Sequence, residues 1–167
     1  MQELSGAAGG SWRVIDEVFD SNVVLQQDNL SCAPACGEML LKDRGINDVT
    51  QAAIAAETGV PCRVVRYLAL ALNKLSPSSI GVWCGGNFGV ELAEMPILLE
   101  RLIAKGSWAA EMKEFGNPIA HLVVVDGFDE AGRLLILDPW NGTRYKMEKA
   151  EFLNYWNTRG VYLEKNL

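Results

Sequence analysis

The sequence predicts an α+β domain, with helices first and an antiparallel sheet after them, and two observations carry that prediction. Between Ser31 and Gly106 apolar residues recur mainly at helical spacing and the runs stop at Gly or Pro; from His121 onward they form short β-branched runs separated by turn residues. A doubly wound sheet would need strand and helix to alternate along the chain. At 167 residues the chain is long enough for one domain that buries its own core without disulfide or metal staples.

Residues 1–12, with the small polar run Ser5-Gly-Ala-Ala-Gly-Gly10, read as a flexible linker, and 13–167 as the folded domain. Val14–Gln26 mixes β-branched, acidic and turn residues and predicts one or two short strands. A helix follows over Cys32–Arg44: Ser31 is the candidate N-cap, Pro34 sits in the first turn where its missing N–H costs nothing, and Gly45 is the stop. Further helices are predicted over Asp48–Thr58, Arg63–Leu75 and Glu94–Lys105. The Gly-rich run Ile80–Gly89 contains a short strand, and Trp108–Met112 reads as another. Phe115–Pro118 is a turn. His121–Asp126 and Arg133–Asp138 predict a hairpin, followed by a strand over Thr143–Met147, a helix from about Glu148 and a last strand around Gly160–Leu163.

A formal charge of −6 and a pI near 4.8 leave no basic excess to hold phosphate backbones or anionic lipid heads, so nucleic acid and membrane are not expected partners. No apolar run approaches the ~20 residues that cross a bilayer, and no charged-then-apolar leader opens the chain; a soluble domain is expected. Cysteines at 32, 36, 62 and 84 form no C-x-x-C pair, so neither a zinc ribbon nor a thioredoxin-type site is expected, and no metal or cofactor is called for. Free thiols are the reading for all four. Any imidazole chemistry must use His121, the only histidine.

The chemistry concentrates in a few positions. Pairing Asp126 with Arg133 across the predicted turn sets His121 opposite Asp138, where opposed Cβ atoms stand about 4.5–5.5 Å apart and a carboxylate can hold an imidazole N–H. A bulge would instead move the partner to Asn141 or beyond. Cys32 begins a helix, whose free N–H groups and positive dipole end favour a thiolate. With His121 as base and Asp138 as its orienter, Cys32 becomes an activated nucleophile. Gln26, in the loop before the helix, can join the Cys32 backbone N–H as an oxyanion donor, with Gln27 as the alternative if the loop is one residue tighter.

These residues resemble a family. Gln26, Cys32-Ala-Pro-Ala-Cys36, His121-Leu-Val-Val-Val-Asp-Gly and Leu137-Asp-Pro-Trp140 are similar to the papain-like cysteine peptidases, above all the bacterial C39-like group, with Ala33 departing from the usual Gly after the nucleophile. The resemblance implies a papain-like fold with its cleft between helices and sheet, Cys32 as nucleophile, His121 as general base, Asp138 as orienter and Gln26 as oxyanion donor. It also implies a protein or peptide substrate. Relatives are often toxin or effector domains delivered into a target cell's cytoplasm and guarded by a cognate immunity or inhibitor protein.

Blander readings stand beside these. Cys36, Cys62 and Cys84 read as small buried hydrophobes. Trp83, Gly85 and Gly86 are either core and turn residues or a ledge that pairs with an extended substrate. Trp140 either covers the His121–Asp138 contact or simply packs. A side-chain deamidase or transglutaminase-like acyl transferase would use the same triad, and a non-catalytic peptide-binding module would keep the fold.

Overall fold

The computed structural model describes residues 11–59, 65–116 and 120–165. A seven-stranded sheet runs through the molecule in the order β1-β6-β5-β4-β3-β7-β2, with antiparallel neighbours throughout. Its strands are β1 (Ile15–Phe19), β2 (Val82–Asn87), β3 (Trp108–Met112), β4 (His121–Phe128), β5 (Leu134–Asp138), β6 (Thr143–Met147) and β7 (Trp156–Glu164). The helices are α1 (Cys32–Lys42), α2 (Gln51–Thr58), α3 (Val65–Leu75), α4 (Met95–Ala104) and α5 (Lys149–Tyr155).

Strand alternation sorts two cores. Ala109, Leu122, Val124 and Val161 face α1, α2 and α3; Trp108, Ala110, Val123, Val125 and Ile136 face α4 and α5. The predicted elements are present, with the first two strands of the chain, β1 and β2, closing the sheet's edges. The Arg63 start of the third predicted helix and part of the turn at Phe115–Pro118 lie outside the described residues.

Residue choice explains how α1 can be buried along nearly its whole length. A Cβ at Gly37 would lie 3.0 Å from Leu68, 3.1 Å from Ile54 and 3.2 Å from Leu72, so this glycine admits α2 and α3. Buried Glu38 accepts the Gln51 N–H at the start of α2 (2.7 Å) and pairs with Lys42 (2.9 Å). Ser31 does not cap the helix with its side chain: its hydroxyl donates to Asp28 Oδ1 (2.8 Å), fastening the preceding loop instead. Thr50 caps α2, accepting the Ala53 N–H (3.3 Å).

Two sequence expectations need correction here. Trp12 is 1% exposed in the core beneath α4 and α5, so the fold begins before the boundary drawn at residue 13. Trp83 and Gly85 serve packing. The Trp83 side chain is buried, donates Nε1–H to Ser76 Oγ (3.1 Å) and lies under the Arg44 guanidinium. Gly85 lies directly beneath α3, where a Cβ would come within 2.6 Å of the Val65 carbonyl oxygen. Only Gly86 faces open space, on an edge strand separated from β4 by β7 and β3. Gly85→Ala must push α3 off the sheet, and the expected cost is about 1–3 kcal/mol of stability, read as a lower midpoint in urea.

Candidate active site

His121 opens β4, so its ring stands at the end of the sheet where α1 begins. The Cys36 thiol, one turn into α1, donates to the Leu122 carbonyl (3.4 Å), and one turn earlier on the same face Cys32 meets the neighbouring His121, hydrogen-bonded to its side chain. The helix start thus brings Cys32 to the histidine. Cys32 is 8% exposed and α1 has no acidic residue in its first turn to offset the free N–H groups.

His121 Nε2 lies 2.7 Å from Asp138 Oδ1, with both side chains buried, which leaves Nδ1 for Cys32. The pair forms by a different register from the expected one. Val124 pairs with Leu137 and Val125 with Ile136, and a bulge between Val125 and Gly127 shifts the turn end of the hairpin. Asp138 therefore stands opposite Val123 and reaches His121 diagonally, on the same face. The bulge does not hand the role to Asn141.

Burial works against a charged imidazole at His121, but the Asp138 carboxylate, its hydrogen bond and the Cys32 contact outweigh it and push the pKa up to about 10. Burial likewise raises Asp138, and it is overcome by His121, the Trp140 N–H and the Tyr145 hydroxyl, so the carboxyl ends below its ordinary value. At Cys36 full burial, with Cys32 and Asp138 nearby, pushes the thiol well up and keeps it protonated. The described Cys32, Cys36 and Cys84 are free; Cys62 lies outside the described residues.

Gln26 is buried beside this group. Its N–H donates to the Pro139 carbonyl (2.9 Å), and its Nε2 donates to the Asp28 carbonyl (2.6 Å), which uses one of two amide protons. Gln51 Nε2 holds the same loop at the Leu25 carbonyl (2.8 Å). Gln27 is exposed. Gln26 and Gln27 line a cavity of about 350 Å³ with Leu25, Asp28, Asn29, Trp140 and Asn141. Trp140 contributes its backbone N–H to Asp138 Oδ1 (3.0 Å). The ring that stacks on His121 is Trp12, with centroids 6.2 Å apart and planes 13° from parallel.

Two polar residues at the site escaped the sequence reading. The Tyr145 hydroxyl donates to Asp138 Oδ2 (2.7 Å), and Trp12 Nε1–H donates to that hydroxyl (3.0 Å). Tyr145 had a findable signal: the short turn after Asp138 pairs Asp138 with Thr143, which puts Tyr145 on the same face one diagonal step away. Trp12 had none, being 133 residues from its partner.

The fold, with a cysteine-bearing helix start set against a histidine on an antiparallel sheet, is that of the papain-like cysteine peptidases. The chain resembles the C39-like group of that fold. The model of the Peptidase_C39 like family matches residues 92–163, a stretch that contains His121 and Asp138. Cysteine protease effector 1 of Escherichia coli O1:K1:H7 is 43% identical over 159 residues, covering 95% of this chain; the chain spans only 30% of that relative's length. The crystal structure of the peptidase domain of Streptococcus ComA, a bi-functional ABC transporter involved in a quorum sensing pathway, superimposes with a TM-score of 0.66 at 19% identity, covering 86% of this chain and 97% of that one. Among the described residues no helix is long and apolar enough to cross a membrane.

Proposed function

We propose that this domain is a cysteine peptidase that hydrolyses amide bonds in a protein substrate through Cys32, His121 and Asp138. The observation that carries the reading is the convergence of the chain's one histidine with a buried carboxylate on one side and a helix-start cysteine on the other. The Cys32 thiolate attacks the carbonyl carbon while the oxyanion takes the Cys32 backbone N–H and the remaining Gln26 amide proton. His121 passes its proton to the leaving amine, leaving an acyl group on Cys32. Neutral His121 then takes a proton from water as that water attacks the thioester, and keeps it as the Cys32 thiolate departs, which restores the starting ion pair. Asp138 holds the ring in place and faces its positive charge at both steps.

The similarity to an effector protease supports a delivered effector or toxin domain acting inside a target cell, with a cognate inhibitor as its expected partner. The decisive experiment incubates the domain with a disordered protein such as casein and weighs the products. New termini support a peptidase, whereas a one-dalton gain on an intact chain assigns the same triad to deamidation. Iodoacetamide should label Cys32 faster than Cys84, and His121→Ala should abolish that preference; equal rates would sink the activated-nucleophile idea and leave a peptide-binding module. Gln26→Ala is expected to lower kcat by about 10²-fold with little change in KM, because the oxyanion exists only beyond the ground state.

A further inference from the structure

We propose that Trp12 and Tyr145 are positioning residues that hold Asp138, and through it His121, in the orientation the reaction needs. The inference rests on the peptidase reading for its kinetic consequence and on geometry for the rest. A tyrosine hydroxyl has one proton to give. Trp12 Nε1–H donates into the Tyr145 oxygen (3.0 Å), so that oxygen is occupied as an acceptor and its own proton goes to Asp138 Oδ2 (2.7 Å). Asp138 Oδ1 accepts the Trp140 N–H (3.0 Å) and faces His121 Nε2 (2.7 Å). Both carboxylate oxygens are thereby fixed, and Asp138 has no free rotation with which to release the imidazole.

Trp12 acts a second time through its face. It lies nearly parallel to the His121 ring, is 1% exposed, and meets Tyr155 edge-on with centroids 5.7 Å apart. Water is kept from the His121–Asp138 hydrogen bond on that side. Burial and the neighbouring Asp138 carboxylate push the Tyr145 hydroxyl pKa well up, so it remains a donor across the working range. Core packing alone would require none of this polar continuity. The segment ahead of β1 thus forms one wall of the site, although the histidine comes from β4, much later in the chain.

Tyr145→Phe and Trp12→Phe remove one polar group each and keep an aromatic ring. Since His121 is the only histidine, side-chain ¹⁵N NMR reads its ring N–H protons without assignment. Wild type should show one Nε2-bound proton protected from exchange, and Tyr145→Phe should lose that protection. On a cleaved protein substrate, Tyr145→Phe should lower kcat about 10–100-fold with KM within about twofold, the scale on which a displaced catalytic group slows a reaction. Trp12→Phe should show a smaller loss, and the double variant should be no worse than Tyr145→Phe, because both act through one hydroxyl.

A wild-type His121 spectrum and wild-type kcat in Tyr145→Phe would overturn the relay, as would simple additivity in the double variant. The NMR signature is read whether or not the protein cleaves anything, so failure of the peptidase reading leaves the relay to stand or fall on His121 alone. If either variant loses its native near-ultraviolet dichroism, the other carries the test.

Discussion

Cys32→Ala and His121→Ala should each lower kcat/KM by at least about 10⁴-fold, and the double variant should be scarcely worse than either, because nucleophile and base act as one unit. No second imidazole exists to take over the proton transfers. Cys36→Ala is the control that separates the two neighbouring cysteines. Its thiol is fully buried, kept protonated and bonded to the Leu122 carbonyl, so its loss should leave turnover in place while lowering the thermal midpoint. An acyl group trapped on Cys32 and seen by mass spectrometry would make the assignment direct. Cleavage that survives in Cys32→Ala would end it.

Asp138→Asn should cost about 10²–10⁴-fold in kcat, the range expected when a triad keeps its shape but loses the charge that orients the ring. It should also reshape the pH dependence. In wild type His121 keeps its proton up to about pH 10, against an ordinary value of 6.5, so the alkaline limb of the rate profile should fall near pH 10. In Asp138→Asn that limb should move down by several pH units.

Stability follows the same linkage. The His121 contribution is fully present below pH 6.5, where folded and unfolded imidazoles are both protonated, and is lost as pH rises through about 10. The lowered carboxyl of Asp138 contributes above 3.8 and loses that contribution as pH falls through its folded value. Thermal midpoints of wild type and Asp138→Asn should therefore lie furthest apart between about pH 4 and 6.5 and converge toward pH 10. Parallel midpoints across that range would mean that His121 carries no extra charge in the fold.

The elements of the fold were legible because they depend on local pattern. Apolar spacing marked helices and strands, and Pro34 and Gly45 bracketed the first helix. Terminal residues were less legible: Ser31 looked like a cap, yet Asp28 took its hydroxyl. Trp83 and Gly85 stood open between core packing and a ledge beside a cleft because a glycine run reads alike whether substrate or a helix lies over it. Here α3 lies over it.

The bulge between Val125 and Gly127 shows how far register arithmetic carries. Direct opposition of His121 and Asp138 did not occur, but a shift of two residues kept both side chains on one face and within reach. Strand periodicity of two preserves the face when the displacement is even.

By itself the sequence determined the α+β order, the single imidazole, the helix-start cysteine and the carboxylate two residues before Trp140. Those are properties of local spacing and residue chemistry, which survive without coordinates. Only the tertiary structure decided which oxygen of Asp138 meets His121, that Gln26 is buried while Gln27 is not, and that Trp12 and Tyr145 complete the support. Hydrogen bonds between residues 133 apart depend on how β1, β5 and β6 stack into one sheet beneath α4 and α5, and no local pattern encodes that meeting.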